Sequence, residues 1–146
     1  MKIGTRAYFD TSVLFKRYIQ EFGSDRARSL ARQYRPVSSA ITPAEMLSAL
    51  YRRRVAGDLT DSAFEAIVDR MRADRRQWQL MEVSPLLLDR VEEIVVEIPL
   101  RALDAIHVAS ALTFRAATGI PVPFITADTS QRDAAATLGL EVIWVD

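Results

Sequence analysis

A chain of 146 residues, 49% of them hydrophobic, is long enough for one domain with a substantial core and short for two. It has no cysteine, which excludes disulfides, thiolate nucleophiles and sulfur-ligated zinc and leaves oxygen ligands or the one histidine, His107, to carry any chemistry. Nineteen basic and nineteen acidic side chains cancel, which excludes the broadly basic field of many nucleic-acid binders, so any attraction for a polyanion must be local.

In chain order, the apolar run 7–9 predicts a first strand, followed by helical patterns over 12–19 and 24–33. A second strand over 37–40 leads into helices over 43–55 and 61–76. A third strand over 79–83 precedes helices over 85–96 and 101–117. A fourth over 123–126 leads into a last helix, and a fifth strand is expected over 141–145. Gly57, Gly119 and Gly139 each sit just past a helical pattern, where a left-handed residue closes the final turn. Strands separated by long helical stretches cannot pair as hairpins and have to cross over. The expected class is therefore α/β, a three-layer α/β/α sandwich with a central, mostly parallel five-stranded sheet, residues 1–146 forming a single domain. No fixed-period repeat, low-complexity run or linker interrupts it, and no segment reads as a secretory signal or a membrane span, so a cytoplasmic location is expected.

Seventeen of the nineteen basic residues are arginine, concentrated at Arg52, Arg53 and Arg54 and at Arg70, Arg72, Arg75 and Arg76. Guanidinium suits bidentate phosphate contact, yet charge runs on helices are usually solvated faces, and these clusters are read as such.

In an open parallel sheet, ligands bind beyond the carboxyl ends of the strands, so acids just after strands or at the starts of the next helices converge on one edge. Four acids fall there. Asp10 ends the first strand in Tyr8-Phe9-Asp10-Thr11-Ser12, Asp128 follows the fourth, and Glu45 and Asp104 open helices. Such a cluster offers the hard oxygen ligands that magnesium or manganese requires. Each acid also has a purely structural reading. Asp10 and Asp128 are good N-caps, and Thr42-Pro43-Ala44-Glu45 has the pattern of a capping box. Asp104 lies in the apolar sequence Leu103-Asp104-Ala105-Ile106-His107-Val108-Ala109, where it must find a partner unless the stripe Arg101, Asp104, His107, Ser110, Thr113 faces solvent. His107, without a serine or cysteine partner, makes no triad and is read as a structural or hydrogen-bonding residue.

Taken in order, Tyr8-Phe9-Asp10-Thr11-Ser12-Val13-Leu14, Ser39-Ala40-Ile41-Thr42-Pro43-Ala44-Glu45, Leu103-Asp104-Ala105-Ile106-His107-Val108-Ala109 and Ile125-Thr126-Ala127-Asp128 resemble the four acidic motifs of PIN domains, and most of all those of VapC-type toxins. The resemblance implies a magnesium-dependent endoribonuclease, usually a homodimer, held inactive by an antitoxin whose C-terminal segment lies across the site. By motif position it implies Asp10 and Asp104 as main metal ligands, Glu45 and Asp128 completing the acidic pocket, and Thr11, Ser12 and Thr126 orienting it. Leu47, Leu50 and Tyr51, at helical spacing beside Glu45, are either an antitoxin-docking face or ordinary core. Gln131 departs from the hydrophobic residue that relatives tend to carry there and bears on how the last helix packs; Asp133 reads as a surface charge.

Three rivals compete. A non-catalytic RNA- or protein-binding domain of the same fold would have no need for like charges at one edge. A phosphate-accepting signalling domain wants paired acids after the first strand and a lysine near the last, and the only lysines are Lys2 and Lys16. A nuclease acting on single-stranded DNA shares the metal chemistry.

Overall fold

The computed structural model describes residues 5–146. Five strands, β1 (Arg6–Phe9), β2 (Arg35–Ser39), β3 (Gln79–Met81), β4 (Phe124–Thr126) and β5 (Val142–Trp144), form one sheet in the order β3-β2-β1-β4-β5. All four pairings are parallel, as helical crossovers require. The connections are α1 (Thr11–Lys16) and α2 (Ser24–Gln33), α3 (Thr42–Val55) and α4 (Asp61–Asp74), α5 (Pro85–Glu97) and α6 (Ala102–Thr118), and α7 (Thr129–Thr137).

Successive strand residues face opposite sides of the sheet and divide the core in two. Tyr8, Val37 and Phe124 pack with α5, α6 and α7, whereas Ala7, Phe9 and Ile125 pack with α1 to α4. This is the expected three-layer α/β/α sandwich. Gly57, Gly119 and Gly139 all have positive φ, as helix stops require.

Two strands and two helices differ in their bounds from expectation: β2 begins at Arg35 and β3 ends at Met81. The first helix ends at Lys16 and not at residue 19, because Arg17 and Tyr18 donate to Leu14 and Phe15, three residues back, and tighten the chain into a turn. The fourth stops at Asp74 and continues as a single 3-10 turn, Arg75–Gln77. The candidate docking face on α3 is split: Leu50 is fully buried core, Leu47 is half-buried and Tyr51 is 52% exposed.

Chain order in the sheet reverses at β1. Strands β2 and β3 are added on one side of it, and β4 and β5 on the other. The switch point therefore lies between β1 and β4, where diverging crossovers open a crevice beyond the strand ends. Asp10 and Asp128 follow those two strands.

Candidate active site

Asp10 is fully buried and caps α1, its Oδ1 accepting from the Val13 N–H at 3.2 Å. The Thr126 hydroxyl donates to Oδ2 at 2.8 Å, and the Ser12 hydroxyl lies 2.7 and 2.9 Å from the two oxygens. Ser12 has one proton to give, so one carboxylate lone pair is left for a ligand. The N-cap reading of Asp10 is thus correct, and it coexists with a place on the wall of a cavity of about 810 Å³.

Glu45 reaches the same cavity from α3. The expected capping box does not form. Ile41 occupies the N-cap position, and the Thr42 hydroxyl pairs instead with the Ser38 hydroxyl, four residues back at the end of β2, at 2.7 Å. Glu45 Oε1 instead accepts from the Thr11 hydroxyl at 2.6 Å and from His107 Nε2 at 2.8 Å. An ionised carboxylate only accepts, so His107 carries its proton on Nε2; in the neutral ring Nδ1 then accepts from the Tyr8 hydroxyl at 2.8 Å. Burial pushes the Tyr8 phenol well above its ordinary pKa, which keeps that donor protonated. Both bonds to Glu45 fall on Oε1, leaving Oε2 for a ligand.

The polar stripe on α6 does not face solvent as a whole. Asp104, His107 and Ser110 are buried, whereas Arg101 and Thr113 are exposed. Asp104 Oδ2 accepts from Arg101 Nε at 3.2 Å and Oδ1 from Gln131 Nε2 at 3.0 Å. Asp128 caps α7 by accepting from the Gln131 N–H at 2.9 Å, and its own N–H donates to the Thr126 hydroxyl. Asp133 is exposed beside Arg132, as expected of a surface charge.

The cavity therefore brings together Asp10, Glu45, Asp104 and Asp128 with Thr11, Ser12 and His107, and Thr126 stands behind Asp10. Lys16, Arg52 and Arg53 line its basic side, where Glu21 pairs with Lys16 at 3.2 Å and with Arg53 at 3.1 Å. Sequence reasoning missed Tyr8 and the donor role of Gln131, and assigned His107 no link to an acid. No local pattern signalled the last, because Glu45 lies 62 residues from His107 on another helix.

Burial raises the Asp10 pKa, more than His107, Ser12 and Thr126 together lower it. The Glu45 pKa is lowered: burial pushes it up, but the hydrogen bonds from His107 and Thr11 outweigh that, joined by attraction to the His107 ring in its protonated form. A fully buried carboxylate whose charge is disfavoured, one lone pair still open and an all-oxygen donor set around it fit a hard divalent cation. Among the described residues no three acidic or histidine side chains are gathered tightly enough to hold an ion by themselves. Among the same residues no helix is long and apolar enough to cross a membrane.

The PIN domain family model matches residues 7–137. Ribonuclease VapC46 of Mycobacterium tuberculosis is 34% identical over 137 residues, covering 93% of this chain and 95% of its own. Among solved structures, a toxin–antitoxin complex from Klebsiella pneumoniae is similar with a TM-score of 0.67 at 21% identity, covering 94% of this chain and 95% of that one. FitAcB from Neisseria gonorrhoeae is similar with a TM-score of 0.70 at 16% identity, covering 94% and 96%.

Proposed function

Because this chain belongs to the PIN domain family, we propose that it is an endoribonuclease that hydrolyses RNA phosphodiester bonds with a divalent cation, magnesium or manganese, and acts in the cytoplasm as the toxin of a toxin–antitoxin pair. The observation that carries this reading is the meeting of four carboxylates from distant chain segments in one cavity at the sheet's switch point. The Mycobacterium tuberculosis relative carries the name ribonuclease, which supports RNA over DNA as substrate.

Asp10 and Asp104 are the residues to hold the ion, with Glu45 and Asp128 completing the acidic wall. Bound there, the cation would supply Lewis acidity toward a phosphodiester oxygen and lower the pKa of a water. The chain's own contribution is orientation. Ser12 and Thr126 fix the Asp10 carboxylate, Thr11 and the Tyr8–His107 pair fix Glu45, and Arg101 and Gln131 fix Asp104. These acids are thus held by donors, several of which are themselves held, the condition for preorganised catalysis.

Similarity to a structure of a toxin–antitoxin complex supports an antitoxin partner, and a homodimer is part of the same proposal. The acidic cavity suits an arginine or lysine from such a partner, and exposed Tyr51 on α3 offers an aromatic foothold beside it. The test is incubation of purified protein with RNA and with single-stranded DNA, with magnesium and with excess chelator, alongside Asp10→Asn and Asp104→Asn. Magnesium-dependent RNA cleavage lost in both variants is expected. Wild-type rates in either folded variant, or cleavage indifferent to chelator, would overturn the assignment.

A further inference from the structure

On the other side of the turn that follows α1 lies a second cleft, of about 420 Å³, with no acidic cluster. It is lined by Arg17, Arg28, Arg32 and Arg70, with Tyr18 and Asp74 among them. These arginines come from the α1 turn, α2 and α4, so no stretch of sequence displays them together. Four guanidinium groups against one carboxylate is a local excess in a chain of zero net charge. The acid is also spoken for: Asp74 accepts from the Tyr18 hydroxyl at 2.6 Å and lies 3.8 Å from Arg17. Arg28 pairs with Asp25, whose side chain is 97% exposed and so neutralises it weakly. Arg70 and Arg17 stack over Tyr18, 5.0 and 5.5 Å from its ring centre, which holds their planar forks in place. Among the described residues Arg32 makes no ion pair.

Fixed guanidinium forks with few counter-ions are a phosphate-binding arrangement. Position decides which phosphate. The segment after α1 is a shared wall, Lys16 and Glu21 lining the acid cavity and Arg17, Tyr18 and Gln20 lining the arginine cleft. Ser12 and Arg17 stand five residues apart, about 8 Å along a helix axis. A strand threaded past four carboxylates is repelled by them, and with Lys16 and Arg53 both paired to Glu21, further positive charge along its path adds to its affinity. We propose that the cleft of Arg17, Arg28, Arg32 and Arg70 binds the phosphate backbone of single-stranded RNA beside the cut site. This rests on the ribonuclease reading for its orientation, but not for its existence.

The test uses the full chain with Arg32→Gln and, separately, Arg32→Gln/Arg70→Gln; Arg32 is exposed and unpaired, so the single variant folds even if loss of the Tyr18 stack disturbs the double. Binding of a labelled single-stranded RNA is followed against salt in an Asp104→Asn background, and cleavage in the otherwise wild-type chain. The double variant is expected to weaken RNA binding on the order of tenfold and to lower the salt slope by about 0.7 for each phosphate no longer neutralised. In cleavage, KM should rise with kcat unchanged, because the cleft touches no reacting atom. Unchanged affinity and slope in both variants overturn the proposal. So does retained RNA binding with lost binding of an acidic peptide, which would give the cleft to a protein partner. Weakened RNA binding together with a wild-type chain that cleaves no RNA would leave the cleft standing and remove the ribonuclease reading instead.

Discussion

Replacing Tyr8 by phenylalanine removes one oxygen that lies outside the acid cavity, and it should still reach the chemistry. Phenylalanine keeps the stacking on Phe124, at 5.3 Å and 4° between rings, and the edge contact with His107, so the packing is preserved. What goes is the donor to Nδ1 of His107, a side chain only 1% exposed. Two outcomes are open to the imidazole. It keeps its proton on Nε2 and buries an unsatisfied Nδ1, or it moves the proton to Nδ1 and turns a lone pair toward the Glu45 carboxylate. Either costs about 1–3 kcal/mol, the desolvation penalty of one orphaned buried polar group. At about 2–4 °C per kcal/mol for a chain of this size, the thermal midpoint should fall by several degrees. The second outcome also strips Glu45 of a hydrogen bond to its charged form, worth about 1.5–3 kcal/mol, and so lowers kcat roughly ten- to a hundredfold if Glu45 acts in the charged state. Single-turnover cleavage well below the melting range, with KM for RNA followed in parallel, separates the two effects. A lowered midpoint with wild-type kcat would refute the coupling and leave Tyr8 a packing residue with a satisfied hydroxyl.

Glu45→Gln should keep its midpoint to within about 1 kcal/mol, since the amide oxygen still accepts from Thr11 and His107, and should lose most cleavage; full activity at matched folded fraction would limit the site to Asp10, Asp104 and Asp128. Asp10→Asn should melt higher than the metal-free wild type at neutral pH. The folded-state pKa of Asp10 is raised, so the native state binds its proton more tightly, and wild-type stability falls as pH rises through that raised value. The gap between the two midpoints should therefore open with rising pH and close when magnesium is added to the wild type, whereas the lowered pKa of Glu45 acts oppositely, its stabilisation being lost as pH falls through it. A gap that does not change with pH would contradict the burial argument. Gly23→Ala should cost about 2 kcal/mol or more in urea denaturation at unchanged slope, because φ is +83° and an added Cβ would collide with the Asp146 carbonyl oxygen; a loss no larger than at a surface site would show that the C-terminal residues yield.

What could be read from the sequence was whatever a local pattern determines. The strand runs and the glycine stops defined the layers, and the position of Asp10 and Asp128 after two strands located the site, because strand ends converge by topology. Local reading failed where two nearby partners compete or where the partner lies far along the chain. Thr42 carries the capping pattern, but Ser38, four residues back at the end of β2, takes its hydroxyl. Gln131 looked like a packing anomaly, and it is polar because Asp104, brought alongside by α6, needs a donor. Tyr18 and Ile19 extend the apolar period of α1 although the backbone has already turned, since burial in a turn and burial in a helix leave the same apolar mark. The arginine cleft was invisible for the same reason as the Tyr8–His107–Glu45 chain. Its members share a surface and no motif.

Placing β1 at the centre of the sheet has a consequence for the order in which the molecule is made. Strand β1 must wait for β4, which pairs with it in the register Tyr8 to Phe124, and the Thr126 hydroxyl that holds Asp10 lies 116 residues downstream. Contacts so far apart in the chain form late, after the loops between them have closed. Until residues through Asp128 have been made, the Asp10 carboxylate has Ser12 but lacks the Thr126 hydroxyl and its fourth acidic companion. The four-carboxylate cavity is therefore completed in one step, by the pairing of β4 with β1.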